Sequence, residues 1–442
     1  MIQPLAKNAI IYPTHYLRRE NIGRHLAEVH SVNSSSLAEI EHFQQLRLCE
    51  VAKLSIAAGK PVGDAIHSAE RHITCENIRS IVDELPLQSK EMMRTALKQW
   101  GKPKGIAVDY RSTSGSTGFP LQFYKDRFAT GYMDAVLYAA YGWHSIEVGD
   151  PQARFWGKPL PLKDAVIAQL KDVLKNRIRF SAFDLSDVAK DGFYRRLYEF
   201  RPTYFYGYPS LMVEFCKYIL EKGKDLKSLP LKAVIGTGEY VYQHERDIIE
   251  YATGVPFVNE YGCTEVGLIG FECEAHNLHV MAPNIYLEVI KDGKNVVDEE
   301  GDIHVTELHT KTAPFIRYGL GDRGIMCSER CSCGRSLPVI KIVSGRKDDY
   351  ILTPEGNKVY DALFAYVLKA GVDKFKVTQS RIDLIEISLV RNAGYSPELQ
   401  RRYSEIFQKH FGDSMKIEFA VVDSIPHEKS GKLRYFERTF SS

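Results

Sequence analysis

Apolar residues early in the chain recur at the helical interval. Leu37, Ile40, Phe43, Leu46, Val51 and Leu54 follow the Ser34-Ser35-Ser36 cluster, which predicts an amphipathic helix opened by serine. The first hundred residues read as mostly helical. From about Ala107 the pattern shifts to short apolar runs that end in glycine turns and lead into helices. Ala233-Val234-Ile235 enters Gly236-Thr237-Gly238, and Pro256-Phe257-Val258 enters Tyr261-Gly262. Strands that end in such turns predict an α/β layered domain with ligand loops at the strand ends.

Further on, Ile285, Leu287 and Val289 alternate as in a strand half exposed on a sheet. The last ninety or so residues carry their own pattern. A helix is expected over 359–369, strands over 375–378 and 384–390, a helix opened by Ser396-Pro397-Glu398 and stopped by Gly412, and a strand over 416–422. Gly345-Arg346-Lys347-Asp348-Asp349 marks the expected boundary. The chain therefore divides into a large domain over 1–345, a hinge at 346–349 and a small α+β domain over 350–442.

Composition narrows the classes. The chain has 442 residues, 44% of them hydrophobic and 26% charged, as in soluble globular proteins. Its 58 basic and 56 acidic residues leave a formal charge of +2, so no long-range field draws a polyanion, and nucleic acid is not the expected partner. The apolar runs are too short to span a bilayer, and the first residues lack a signal-peptide pattern. A cytoplasmic location follows as the expectation, with the eight cysteines reduced or metal-bound.

The chemistry-bearing motifs come in a fixed order. Ser112-Thr113-Ser114-Gly115-Ser116-Thr117-Gly118 is rich in hydroxyls and glycine, suited either to cradling phosphate or to an ordinary polar turn. No Gly-Lys-Ser/Thr follows at Walker spacing, which argues against a kinase or motor ATPase. Asn259-Glu260-Tyr261-Gly262-Cys263-Thr264-Glu265, then Gly319-Leu320-Gly321-Asp322, then Ser430-Gly431-Lys432 complete the series.

Taken with Phe119-Pro120, Gly236-Thr237-Gly238-Glu239, Ile316-Arg317-Tyr318 and Gly345-Arg346, this series resembles the adenylate-forming superfamily of acyl-CoA ligases, peptide-synthetase adenylation domains and luciferases. Leu85-Pro86-Leu87-Gln88-Ser89-Lys90, Tyr208-Pro209-Ser210 and Cys331-Ser332-Cys333-Gly334-Arg335 are similar to the phenylacetate-CoA ligase-like branch, particularly members from capsular polysaccharide synthesis. The similarity runs from about residue 80 to the end.

The resemblance implies roles for individual positions. Tyr261 would stack on adenine, and Asn259 would bond its amine. The turns at Ser114 to Gly118 and at Gly236, Thr237, Gly238 and Glu239, with Glu260 and Gly262, would complete the ATP site. Thr264 would contact the α-phosphate, and Glu265 would hold Mg²⁺ through carboxylate oxygen. Asp322 would accept the ribose hydroxyls with support from Arg346, and Asp348, or alternatively Asp349, would be the hinge. Lys432 would bridge the carboxylate and the α-phosphate, offsetting the repulsion of two anions. Leu121 stands where many relatives carry a lysine.

Cys273, His279, Cys331 and Cys333 would form a closed structural zinc site if their two segments meet, with His276 and Cys327 as substitutes. Cys49, Cys75, Cys216 and Cys263 read as structural. Tyr141, Trp143, Tyr206 and Tyr208 are candidates for the acyl pocket, although an aromatic stripe also suits a core. Three functions remain open: a ligase making an acyl adenylate and then a CoA thioester, a ligase passing the acyl group to an amine, hydroxyl or carrier, and a silent zinc-stapled nucleotide binder. The expected partners are ATP, Mg²⁺, zinc, a carboxylic acid and CoA or another acceptor, with a homodimer left open.

Overall fold

The computed structural model describes residues 10–18, 20–57, 73–113, 121–156, 169–181, 185–312, 314–344, 350–360, 362–368, 371–426 and 435–440. Among them the helices used below are α1 (Ile22–Asn33), α2 (Leu37–Ala57), α3 (Ile78–Glu84), α4 (Lys90–Trp100), α5 (Arg127–Tyr141), α6 (Asp187–Phe200), α7 (Pro209–Glu221), α8 (Gln243–Thr253), α9 (Ala362–Leu368) and α10 (Pro397–Phe411). The expected early helix is α2.

β1 (Val108–Ser112) and β2 (Gln122–Asp126) form a hairpin. A twelve-stranded sheet follows. Its parallel half holds β3 (Gln152–Phe155), β4 (Arg177–Phe180), β5 (Tyr204–Gly207), β6 (Ala233–Thr237) and β7 (Phe257–Cys263), in the order β7-β6-β5-β3-β4. Its antiparallel half holds β8 (Gly267–Glu272), β9 (Leu278–Val280), β10 (Ile285–Lys291), β11 (Lys294–Asn295), β12 (Glu300–Glu307), β13 (Tyr318–Cys327) and β14 (Val339–Ser344).

Both faces of the parallel half are covered. Ala153, Phe155, Phe205 and Val234 pack with α6 and α7, while Tyr204, Ile235 and Val258 on the opposite face pack with α5. Parallel strands buried on both sides read as continuous apolar runs, which explains the sequence at 233–235. The N-terminal helix α1 covers the back of α5 through Ile22 and Val29. A side chain at Gly131 of α5 would meet the Glu20 carbonyl oxygen at 1.9 Å, so glycine is what allows the approach.

The alternation at 285–289 departs from a half-exposed strand. Ile285, Leu287 and Val289 are buried as predicted, but Glu288 on the other face is also fully buried. Arg317 explains it: its guanidinium donates to both Glu288 oxygens, at 2.8 and 3.2 Å, and to the carbonyls of Asp83 and Leu85 at 2.5 and 2.6 Å. Burying an ion pair is tolerated when each partner is hydrogen-bonded.

The last part of the chain has β15 (Tyr350–Leu352), β16 (Lys358–Tyr360), β17 (Val372–Arg381), β18 (Leu384–Arg391), β19 (Lys416–Val421) and β20 (Phe436–Arg438). The last four form a sheet ordered β19-β18-β17-β20, covered by α9 and α10 around a core of Phe364, Val377, Ile387 and Phe407. Ser396 caps α10 by accepting from the Leu399 N–H, and Gly412 ends it at φ +85°. The expected helix over 359–369 is shorter, because 358–360 pairs with 350–352 and the helix begins only at Ala362.

Among the described residues, polar contacts and the packing of Tyr242 on Tyr435 join the two lobes. Lys217 pairs with Asp373 at 2.8 Å, Lys374 pairs with Glu214, and the Tyr435 hydroxyl donates to Glu245 at 3.3 Å. Among the described residues no helix is long and apolar enough to cross a membrane.

Candidate active site

A cleft of about 1640 Å³ opens where the carboxyl ends of β5, β6 and β7 meet α5 and the start of β13. In open α/β sheets this is where ligands bind. Thr237, Gly238 and Glu239 reach it from the end of β6, Asn259 to Gly262 from β7, and Thr264 and Glu265 from the turn after it. Asp322 enters from β13 across the cleft. The Ser114 to Gly118 turn, Arg346, Asp348, Asp349 and Lys432 lie outside the described residues. Ser112 and Thr113, at the turn's start, line the cleft.

Two hydrogen bonds draw the separated motifs together. The Tyr261 hydroxyl donates to Asp322 Oδ2 at 2.7 Å, and the Tyr318 hydroxyl donates to Glu265 Oε1 at 3.1 Å. The strand that brings Asp322 is fixed from beneath. Arg317 stands at φ +46°, an uncommon conformation for a side-chain-bearing residue, and its N–H donates to Thr306 Oγ1. Gln88 accepts from the Gly319 N–H and donates to the Arg317 carbonyl, both at 2.9 Å.

The predicted residues do not all face the ligand space. Glu260 is 7% exposed and accepts from the hydroxyls of Tyr141 at 2.8 Å and Tyr206 at 3.0 Å. Burial raises its pKa, opposed by those hydroxyls, by Thr237 and by the charge of Arg154. Gly236 is a packing glycine, since a Cβ there would lie 2.2 Å from the Phe257 ring. Glu239 accepts from the Ser210 N–H at 3.0 Å, at the start of α7.

Of the four acyl-pocket candidates, Tyr206 and Tyr208 line the cleft. Tyr141 does not: it is 1% exposed and its hydroxyl is held by Glu260. Trp143 does not either, for it packs on Phe271 and His279 with Arg335 over its ring at 4.4 Å. Met133, Asp134 and Leu137, on the neighbouring turns of α5, face the cleft instead.

Sequence reading missed three arginines of the cleft wall. Arg111 donates to the Thr264 carbonyl at 3.3 Å and to Thr130 at 2.9 Å. Arg154 and Arg179 stand side by side on β3 and β4. A single arginine in a strand carries no motif. Only the sheet register brings these to the cleft.

The predicted metal ligands converge. Cys273, His279, Cys331 and Cys333 present ligand atoms that all lie within 4.8 Å of one another. Cys273 Sγ is 3.6 Å from Cys331 Sγ, and Cys333 Sγ is 3.2 Å from His279 Nε2. His279 Nδ1 faces the Leu337 carbonyl at 2.9 Å, which makes Nδ1 the protonated nitrogen and leaves the Nε2 lone pair turned to the sulfurs. The set fits tetrahedral zinc with no open position. The substitutes stand apart: His276 bonds Glu272, and Cys327 Sγ has the Ile325 carbonyl as its partner.

Comparison with known proteins fits this architecture. The CapK C-terminal domain profile matches residues 351–439. Protein CapK of Staphylococcus aureus is 23% identical over 401 residues, covering 87% of this chain and 83% of that protein. Phenylacetate-coenzyme A ligase of Thermus thermophilus is 26% identical over 268 residues, 53% of this chain and 60% of that protein. The chain is thus similar to CapK along most of its length and to phenylacetate-coenzyme A ligase over about half of it.

Solved structures show the same fold. 2-Hydroxyisobutyryl-CoA ligase in its postadenylation state matches with TM-score 0.72 at 18% identity, over 92% of this chain and 90% of that one. In its thioesterification state, with CoA bound, the same enzyme matches at TM-score 0.57.

Proposed function

We propose that this protein activates a carboxylic acid with ATP and then transfers the acyl group to a thiol, that of CoA. The observation that carries the reading is the meeting of Thr264, Glu265, Tyr261 and Asp322 in one cleft, held by the Tyr261 to Asp322 and Tyr318 to Glu265 bonds. The similarity to phenylacetate-coenzyme A ligase supports both the activation and the choice of CoA.

In the first step a carboxylate oxygen attacks the α-phosphorus of ATP. The bond from that phosphorus to the bridging oxygen breaks, and pyrophosphate leaves with its electron pair. Thr264 would donate to the α-phosphate, and Asp322 would accept from the ribose hydroxyls. Tyr261 would lie along adenine, its hydroxyl tethered to Asp322. Lys432 would draw the two anions together. Glu265 would hold Mg²⁺, which supplies charge to the departing pyrophosphate when bound.

In the second step the CoA sulfur attacks the acyl carbon, and AMP leaves. The lobe carrying Lys432 must swing aside first, breaking the Tyr435 to Glu245, Lys217 to Asp373 and Lys374 to Glu214 contacts. Cys273, His279, Cys331 and Cys333 would hold a zinc ion that fixes the loop after β8 to the loop before β14.

Exchange of labelled pyrophosphate into ATP, dependent on an added acid, tests the first step. Addition of CoA then tests the second: thioester is expected, whereas an adenylate that persists beside CoA and is consumed by an amine or carrier would replace CoA as the acceptor.

A further inference from the structure

Arg154 stands out among the cleft residues because no described carboxylate is bonded directly to it. Among the described residues no carboxylate forms an ion pair or hydrogen bond with it, and its Nε is buried without a partner. Its neighbour Arg179 is different: Asp172 accepts from it at 3.0 and 3.1 Å and also binds Arg177. Asp172 thus answers two guanidinium groups and has nothing left for Arg154.

Two aromatic rings lie against Arg154. Its guanidinium carbon lies 5.1 Å from the Trp156 ring centre and 4.8 Å from that of Tyr206. Trp156 in turn stacks on Tyr208 at 4.2 Å and 21°. Aromatic rings offer a guanidinium no in-plane hydrogen-bond acceptor, and its N–H edge matches a carboxylate or phosphate in bidentate fashion. The charge of Arg154 reaches Glu260, but the carboxylates around the cleft are engaged by other groups. Glu260 is taken by Tyr141 and Tyr206, Glu239 by the Ser210 N–H, and Asp134 lies 3.9 Å from His15.

Register places Arg154 away from the reacting end. It pairs with Tyr206 of β5, Tyr206 with Ile235 of β6, and Ile235 with Val258 of β7, the strand that leads to Thr264. Three strand spacings of about 4.8 Å put β3 roughly 14 Å from the nucleotide strand. Between them lies an aromatic shelf of Trp156, Tyr206 and Tyr208, facing Met133 and Leu137.

We infer that the acid taken by this cleft carries a ring and, at the end distant from its reacting carboxylate, a second anionic group bound by Arg154. The inference rests on the proposed activation for its account of which carboxylate reacts, but it makes a claim about binding that can be measured alone. The shared chemistry is a terminal anion, and carboxylate and phosphate are its two sources.

The test is titration calorimetry of the full chain with AMP present, using phenylacetate, 4-carboxyphenylacetate and 4-phosphonooxyphenylacetate. At least one dianionic acid is expected to bind ten-fold or more tightly than phenylacetate, and the better of the two names the source. Arg154→Met should shrink that preference to within about three-fold, while Arg154→Lys, which keeps a charge and a similar stem, should retain part of it. Melting curves of both variants establish that they fold.

Equal binding of mono- and dianionic acids by the native protein, or an undiminished preference in folded Arg154→Met, overturns the inference. The same acids in pyrophosphate exchange keep the two readings apart. An Arg154-dependent preference in binding with no exchange for any acid leaves the anion site standing and removes the activation. Exchange with phenylacetate alone does the reverse.

Discussion

The Tyr261 hydroxyl donates to Asp322 at 2.7 Å, joining two residues 61 positions apart that the sequence assigned to the base and the sugar of one nucleotide. The bond fixes the distance between the aromatic face and the sugar acid before any ligand arrives. Tyr261→Phe keeps the ring and releases the acid. A hydrogen bond to a charged group is worth about 1.5–3 kcal/mol, so the apparent ATP affinity should fall roughly ten-fold. Asp322→Ala should cost more, and equal ATP affinity in both variants would show the tether to be idle.

Lys432→Ala should abolish acid-dependent pyrophosphate exchange by about 100-fold or more while the melting temperature stays put. Exchange at near-native rate would remove that lysine from the reaction. Measuring thioester formation from preformed acyl adenylate in the same variant separates the two half-reactions, because only the first needs the lysine.

The buried Arg317 to Glu288 pair should be structural. Arg317→Met removes four hydrogen bonds and leaves Glu288 buried without a counter-charge, which costs about 3–5 kcal/mol. The double variant Arg317→Met with Glu288→Leu should recover much of the loss. Urea denaturation of the single and double variants decides it, and identical midpoints for the two would contradict the pairing.

Purified protein should hold one equivalent of zinc. Cys331→Ser should lose it and melt at least about 5 °C lower, as expected for ~2 kcal/mol or more in a domain of this size. His276→Ala, outside the cluster, should keep the metal. A metal-free native protein of unchanged stability would end the zinc assignment.

Glu245 couples the lobe contact to pH. Burial pushes its carboxyl up to about 7 from an ordinary value of about 4.5. The native state therefore binds more protons than the unfolded state between those values, so stability falls as pH rises through this window and the full cost is present above pH 7. The cost is on the order of 3 kcal/mol. Glu245→Gln should flatten the fall in melting temperature between pH 5 and pH 8, and a slope unchanged from native would assign the pH dependence elsewhere.

Much of the architecture was legible because it rests on local signals. Glycine turns after apolar runs marked the ends of β6 and β7, and Ser396 with Gly412 marked both ends of α10. The convergence of Cys273, His279, Cys331 and Cys333 was legible because thiol and imidazole have few other reasons to gather at such spacing. What escaped depends on contacts between distant segments. Glu288 reads as a surface residue until Arg317 is placed beneath it. Tyr141 and Trp143 share a helical segment with cleft residues but point to the core and to the cysteine cluster. Arg154 has no neighbour in sequence that distinguishes it.

The helix that lines the cleft with Met133, Asp134 and Leu137, where the proposed acid would lie, is pressed from behind by α1, with Gly131 seated on the Glu20 carbonyl. Trimming or fusing the amino-terminal helices would therefore not be a neutral edit at the periphery. It would loosen the pocket's rear wall, and its signature would be altered discrimination among acids before any fall in nucleotide affinity.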